Sequence, residues 1–316
     1  MEIKNYQKGD EKKIISLFEL VFKRPMSLEQ WQWRFENNPA GKYMIKLMWD
    51  GDVLAGHYAV SPIKMMVVER EILTTLSLTT MTNPDYGRRG IFGDLANALY
   101  NQLEQELGVG AIWGFPNNNS HYGFIKNLNW KDVAVIHTLT ASTKNMTAAN
   151  SDSVHLVTSF DDSHVQLLAE ANKDFPVRIS RYLEYLDWRY LKKPSTVYYI
   201  IEYHHDGVKD FVVYKLYKSS DSPETWEVFF MEISVKDSAS LKIIMEHILD
   251  YYKDKNIASF NLWMSMWHKQ HIQFEKLGFN PGGKQTYLGI RADEQKLPEV
   301  FDFRKWYYTM GDSDVY

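Results

Sequence analysis

The 316-residue chain contains no cysteine. That excludes disulfides, a thiol nucleophile and thiolate metal sites together. It also lacks any apolar run near the roughly 18 residues needed to span a bilayer, so no membrane contact is expected. The opening residues, MEIKNYQKGDEKK, are too polar for a secretory signal. A cytoplasmic location is therefore the default expectation. A basic stripe is missing as well: 36 Lys and Arg are scattered among 40 Asp and Glu, for a formal net charge of −4. Nucleic-acid binding needs clustered cations, and no nucleic-acid partner is expected. His268 and His271 lie one helical turn apart, a spacing that metal sites use. No acid completes an H-E-x-x-H set, so both are read as structural and no metal is expected.

What is present is globular composition, 45% hydrophobic and 24% charged, long enough for two domains of roughly 150 residues each. The chain also contains a repeated pattern. WQWRFENNP, with Trp33, Arg34, Phe35 and Pro39, returns as YLDWRYLKKP, with Trp188, Arg189, Tyr190 and Pro194. Upstream of each lies a short strand, a turn and a helix. Downstream, FIKNLNW is matched by QFEKLGF. Three anchors in constant order indicate a tandem duplication, with the join in the polar stretch 143–153 and domains at 1–145 and 154–316. Each Trp-Arg pair is expected to end a helix, with its aromatics on the core, its arginine in solvent and proline as the stop.

In the first copy, periodicity predicts helices at 14–22 and 28–36 and strands at 43–49, 53–62, 64–68 and 71–82. A helix follows with Ile91, Leu95, Leu99, Leu103 and Leu107 on one stripe, closed by Gly108. Then come a buried strand at 111–115, a short helix to about residue 128 and a strand at 133–141. The fold class is α+β: two domains, each a mostly antiparallel mixed sheet flanked by helices.

The stretch YGRRGIFGDLANALY, residues 86–100, places glycines and arginines just before that amphipathic helix. Helix starts carry unpaired N–H groups and partial positive charge, so such a turn suits a diphosphate. Gly90 can adopt positive φ, and Arg88 and Arg89 add charge. The alternative is a plain helix-entry turn. Neither a Walker loop nor a dinucleotide fingerprint is present.

The run TMTNPDYGRRGIF resembles the acyl-CoA-binding motif of the GNAT N-acyltransferase superfamily, in which a strand and a proline precede [QR]-x-x-G-x-[GA]. FPNNNSHYGFIKNLNW is similar to the family's next motif. The resemblance implies two GNAT-like domains and an acyl-CoA co-substrate, acetyl-CoA foremost. It places Thr80, Met81 and Thr82 along the pantetheine arm and Arg88, Arg89, Gly90, Ile91, Phe92 and Gly93 at the diphosphate. Gly87 stands where the family has Arg or Gln, and Phe92 replaces a small residue. Ile125 falls at the family's tyrosine, leaving Tyr122 as the nearest hydroxyl for a catalytic acid. His121 is the candidate base. Asn117 to Asn119 either bind cofactor amides or cap the next helix. His57, in AGHYAV, reads as a hydrogen-bonded core residue. The second copy has no glycine in EISVKDSASLKIIMEHIL, and Asp237 or Ser238 should cap that helix, so one cofactor site is expected.

The reading is an acyl-CoA-dependent N-acetyltransferase acting on a small primary amine such as an amino sugar. A homo-oligomer is compatible with it. The alternatives are a Fem-type aminoacyltransferase, which would show salt-sensitive tRNA binding, and a non-catalytic acyl-CoA or sugar sensor, because fold does not establish activity.

Overall fold

The computed structural model describes residues 1–118, 120–219, 222 and 224–316. The chain divides into two compact units. Unit 1 holds Met1–Val135, Lys192–Ser195 and Thr286–Phe303; unit 2 holds Ile136–Leu191, Thr196–Gln285 and Arg304–Tyr316.

Unit 1 begins with β1 (Glu2–Asn5), α1 (Glu11–Phe22), α2 (Leu28–Phe35), β2 (Met44–Asp50), β3 (Val53–Val67) and β4 (Arg70–Thr82). After a short turn come α3 (Ile91–Gln105), β5 (Ala111–Gly114), α4 (His121–Asn127) and the start of β6 (Lys131–Ser142). The sheet runs β1-β2-β3-β4-β5 and is antiparallel except for β4 beside β5. Its outer neighbour on β5 comes from far along the chain: Gly289–Ala292, at the end of β13 (Asn280–Ala292), pairs antiparallel with Ala111–Gly114.

The two stretches expected at 53–62 and 64–68 form the single strand β3. Pro62 does not interrupt it, because its fixed φ suits extended backbone. Its carbonyl accepts a bond from the buried Asn38 side chain at 2.9 Å. The core lies under α3, where Ile91, Leu95, Leu99, Tyr100 and Leu103 meet Tyr58, Ile112, Phe124 and Trp130. Leu107, expected on this stripe, lies beyond the helix and is exposed, since α3 ends at Gln105.

Unit 2 follows a similar order with one strand added between its first two helices. It contains the rest of β6, then β7 (Val154–Val157), α5 (Asp162–Asn172), β8 (Val177–Ile179), α6 (Leu183–Leu186) and a π turn at Asp187–Leu191. After these come β9 (Tyr199–His205), β10 (Val208–Lys218), β11 (Thr225–Ser234), α7 (Ser238–Tyr251), β12 (Asn256–Leu262) and α8 (His271–Lys276). Its sheet runs β7-β9-β10-β11-β12, with β11 and β12 parallel. The outer neighbour of β12 is β6, through Leu139–Ser142.

Both repeat arginines depart from expectation. Arg34 and Arg189 are buried rather than solvated. Each finds partners: Arg34 donates to Thr79 Oγ1 at 2.9 Å, and Arg189 donates to the Tyr198 hydroxyl at 2.7 Å. A charge-assisted bond of this kind offsets the burial of a guanidinium. His268 is also buried, stacked on Phe175, and burial pushes it down to about 4. Among the described residues, no helix is long and apolar enough to cross a membrane.

Candidate functional site

β4 and β5 pair through only three residues, Thr74 to Leu76 with Ala111 to Trp113. β5 stops at Gly114, while β4 continues to Thr82 with β3 alone as partner. The chain then turns through Pro84–Tyr86, whose start is capped by Asn83 Oδ1 accepting from the Asp85 amide at 3.1 Å. Arg88 has φ +63° and Gly90 has φ +78°, the latter at the N-cap of α3. Left-handed residues in a tight turn can bring successive N–H groups to one side.

The first bond into α3 runs from the Asp94 amide to the Gly90 carbonyl at 3.1 Å. Among the described residues, the amides of residues 88–93 have no acceptor within the protein. Six successive N–H groups at the start of a four-turn helix make a concentrated region of positive potential. Space is open above it, because a Cβ on Gly93 would meet nothing within 4 Å.

The side chains expected here divide by role. Ile91 is buried and packs on Gly56, where any Cβ would collide with it. Phe92 points inward, its ring 5.2 Å from Phe124 and 6.0 Å from Tyr58. Both therefore offer only their amides to the turn. Arg89 lies over Tyr86 at 4.8 Å and donates to the Asp85 carbonyl at 3.3 Å. Arg88 is exposed. On β4, Thr80 and Thr82 share one face of the strand and Met81 is buried on the other.

α4 starts beside α3, since Gly123 abuts the Phe92 ring at 3.2 Å from where its Cβ would lie. Asn117 lies in the turn before this helix, whose N-cap is Ser120. Its Oδ1 accepts from the Ser120 amide at 3.1 Å, and its carbonyl accepts from the His121 amide at 2.9 Å. Its side-chain oxygen is thus engaged with the amide of Ser120, the residue before α4. Asn119 lies outside the described residues. Tyr122 is 66% exposed, and Lys126 Nζ sits 5.6 Å from its ring. His121 Nε2 lies 2.7 Å from Asp132, and its ring stacks on Tyr287 at 3.8 Å.

Tyr287 is a residue that sequence reasoning missed. Because Gly289 pairs with Gly114, Tyr287 runs past the end of β5 where β4 goes on alone. The anchor QFEKLGF lies just before β13, and nothing in the sequence marks β13 as the strand that completes the first sheet.

Unit 2 handles its corresponding elements differently. Asp237 caps α7, accepting from the Ser240 amide at 3.0 Å, and these backbone bonds lower its pKa. An ionised carboxylate thus stands at the helix start. The strand ends of β11 and β12 are covered by the C-terminal segment. Gly311 packs so closely that a Cβ would lie 3.0 Å from the Met231 carbonyl. Arg181 bridges Glu232 at 3.2 Å and Asp312 at 2.6 Å, and Arg189 binds the carbonyls of Gly311, Ser313 and Tyr316 at 2.9–3.0 Å. Burial raises both carboxyl groups despite Arg181. The space left among Phe230, Met231, Trp263, His268 and Tyr307 is about 20 Å³, room for one water.

Residues 2–133 match the GNAT acetyltransferase domain family. The fold is shared with a GCN5-related N-acetyltransferase from Anabaena variabilis, at a TM-score of 0.68 and 10% identity over 92% of this chain and 72% of that one. An Enterococcus faecalis protein described as a probable N-acyltransferase gives 0.69 at 13% identity over the same shares. Saccharomyces cerevisiae N-myristoyltransferase, solved with bound myristoyl-CoA, gives 0.62 at 10% identity over 92% and 83%. A search of curated proteins finds no match.

Proposed function

We propose, on the match of residues 2–133 to the GNAT acetyltransferase domain family, that this protein is an acyl-CoA-dependent N-acyltransferase with its cofactor site in unit 1. The observation that carries the reading is the run of unpaired amides at 88–93, directly after a strand that has parted from its parallel neighbour. Those amides would hold the diphosphate of coenzyme A, and the outer part of β4 from Thr80 to Thr82 would lie along its pantetheine arm. Unit 2, with Asp237 at its helix start and its tail over the strand ends, is given no cofactor site in this reading.

Transfer requires a neutral amine, and a free alkylamine with a pKa near 10 is mostly protonated at pH 7. The amine attacks the thioester carbonyl, negative charge collects on its oxygen, and the C–S bond breaks as the thiolate leaves. In this reading Tyr122, whose hydroxyl has no bond among the described residues, protonates the thiolate. His121 takes the amine proton through Nδ1, its Nε2 being held by Asp132. The acceptor is a small primary amine, an amino sugar being the first choice, and acetyl is the first donor to test, with myristoyl as the long-chain alternative.

Thiol release measured with a chromogenic reagent tests both substrates together, and a cysteine-free protein adds no background of its own. Saturable release is expected with at least one donor and amine. Gly93→Glu puts a carboxylate over the free amides at a position with open space and ordinary φ. CoA affinity should fall at least about tenfold while the protein stays folded. Unchanged affinity would remove the cofactor assignment.

A further inference from the structure

β4 carries an irregularity in the part that has left β5. Between the pairs His57↔Met81 and Ala59↔Leu78, one β3 residue, Tyr58, faces two on β4, Thr79 and Thr80. This is a β-bulge, and its first residue is strained: Thr79 has φ +52°, a conformation that a β-branched side chain rarely adopts. Such strain persists only where surrounding contacts over-determine it, and it gathers at functional positions.

Two buried side chains from different elements converge on Thr79. His57, on β3, donates from Nδ1 to the Thr79 carbonyl at 2.8 Å. Arg34, on α2, donates from Nη1 to Thr79 Oγ1 at 2.9 Å. All three residues are 9% exposed or less. Burial pushes His57 down to about 4, so the ring is neutral at pH 7. With its one proton on Nδ1, Nε2 is left as a buried acceptor without a partner among the described residues. Desolvating that atom has a cost, which the Thr79 contact must outweigh.

The orientation of the bulge follows from peptide geometry. A trans planar peptide sets the Thr80 N–H opposite the Thr79 C=O. Holding that carbonyl on His57 aims the Thr80 N–H away from His57. This peptide lies past Leu76, the last β4 residue paired with β5. On the acyl-CoA reading, on which this inference rests, the thioester carbonyl passes here. We propose that Arg34 and His57 are positioning residues that hold the Thr79–Thr80 bulge so that the Thr80 N–H meets the acyl carbonyl oxygen.

The second copy supplies an independent parallel. Its arginine, Arg189, is also buried and grips the tail segment whose Gly311 packs on the carbonyl of Met231. Met231 is the unpaired extra residue of the β11 bulge, between the pairs Val213↔Glu232 and Tyr214↔Phe230. In both units the repeat arginine fixes what happens at the bulge of the fourth sheet strand. In unit 2 that is occupation by the chain's own tail.

The test compares the affinities of acetyl-CoA and free CoA by titration calorimetry, because only acetyl-CoA has the carbonyl. Wild type should prefer acetyl-CoA by about fivefold, the worth of one neutral hydrogen bond. His57→Leu and Arg34→Met should bring that ratio close to one, with free CoA bound as before. His57→Gln, which keeps a donor, should restore the preference. Thr79→Gly tolerates the backbone conformation without strain but loses the Arg34 contact. It keeps the test alive if the other variants fold poorly, and it too should lower the ratio. Variants that retain the preference, or lose acetyl-CoA and CoA alike, overturn the inference while leaving the cofactor site standing. A wild type that binds the two equally also overturns it. A wild type that binds neither overturns the acyl-CoA reading, and the inference with it.

Discussion

At the scale of single residues, buried histidines set an acid limit on the fold. His57 and His268 are both held down to about 4 by burial, whereas an unfolded histidine titrates near 6.5. As pH falls through 6.5, the unfolded chain takes up protons that the folded protein refuses until about 4. Stability is therefore lost across that window, at roughly 1.4 kcal/mol per pH unit for each histidine. Urea unfolding between pH 6 and 4.5 should show a slope shallower by about that amount in His268→Leu than in wild type; equal slopes would mean that His268 titrates normally. At this scale the sequence is only partly legible. His57 reads correctly as a bonded core residue, because a histidine amid AGHYAV has apolar neighbours. Arg34 reads wrongly as solvated, because its partner Thr79 lies 45 residues away and nothing local announces it.

At the scale of elements, α3 and α7 occupy matching places in their units and begin in opposite ways. α3 starts on Gly90 with no side-chain cap, whereas α7 starts on Asp237, which accepts from Ser240. Asp237→Ala should lower unfolding stability by about 1 kcal/mol, the worth of a helix cap. It should leave CoA stoichiometry at one per chain, because the tail still covers the strand ends of unit 2. A second CoA bound by this variant would show that the carboxylate alone had closed that site. In unit 1 the succession of helices and strands along the chain, and the difference between the two helix starts, can be read from periodicity and glycine placement. The continuity of β3 through Pro62 cannot, since proline in an extended strand leaves the same local signature as a break.

At the scale of the whole molecule, the chain crosses between units inside two strands. β6 leaves unit 1 to edge the sheet of unit 2, and β13 returns to edge that of unit 1. A fragment of residues 1–145 consequently lacks the strand that covers β5, whose Trp113 and Ile112 sit in the core. Such a fragment should give poorly dispersed amide NMR spectra and no cooperative melt. A cooperative transition near that of the full chain would show that the exchanged strand is dispensable. Strand exchange depends on pairings between residues about 120 positions apart for β6 and about 175 to 181 apart for β13, which leave no periodic trace in the sequence.

Coenzyme A would be held by the amides of residues 88–93, and hydrogen exchange followed by NMR with and without coenzyme A examines them directly. In the free protein these six should exchange faster than the amides within α3, because none has an acceptor among the described residues. Saturating CoA should slow them at least about tenfold, with little change at the Asp237 end of α7. Amides already protected in the free protein, or unaffected when CoA is bound, would contradict the assignment.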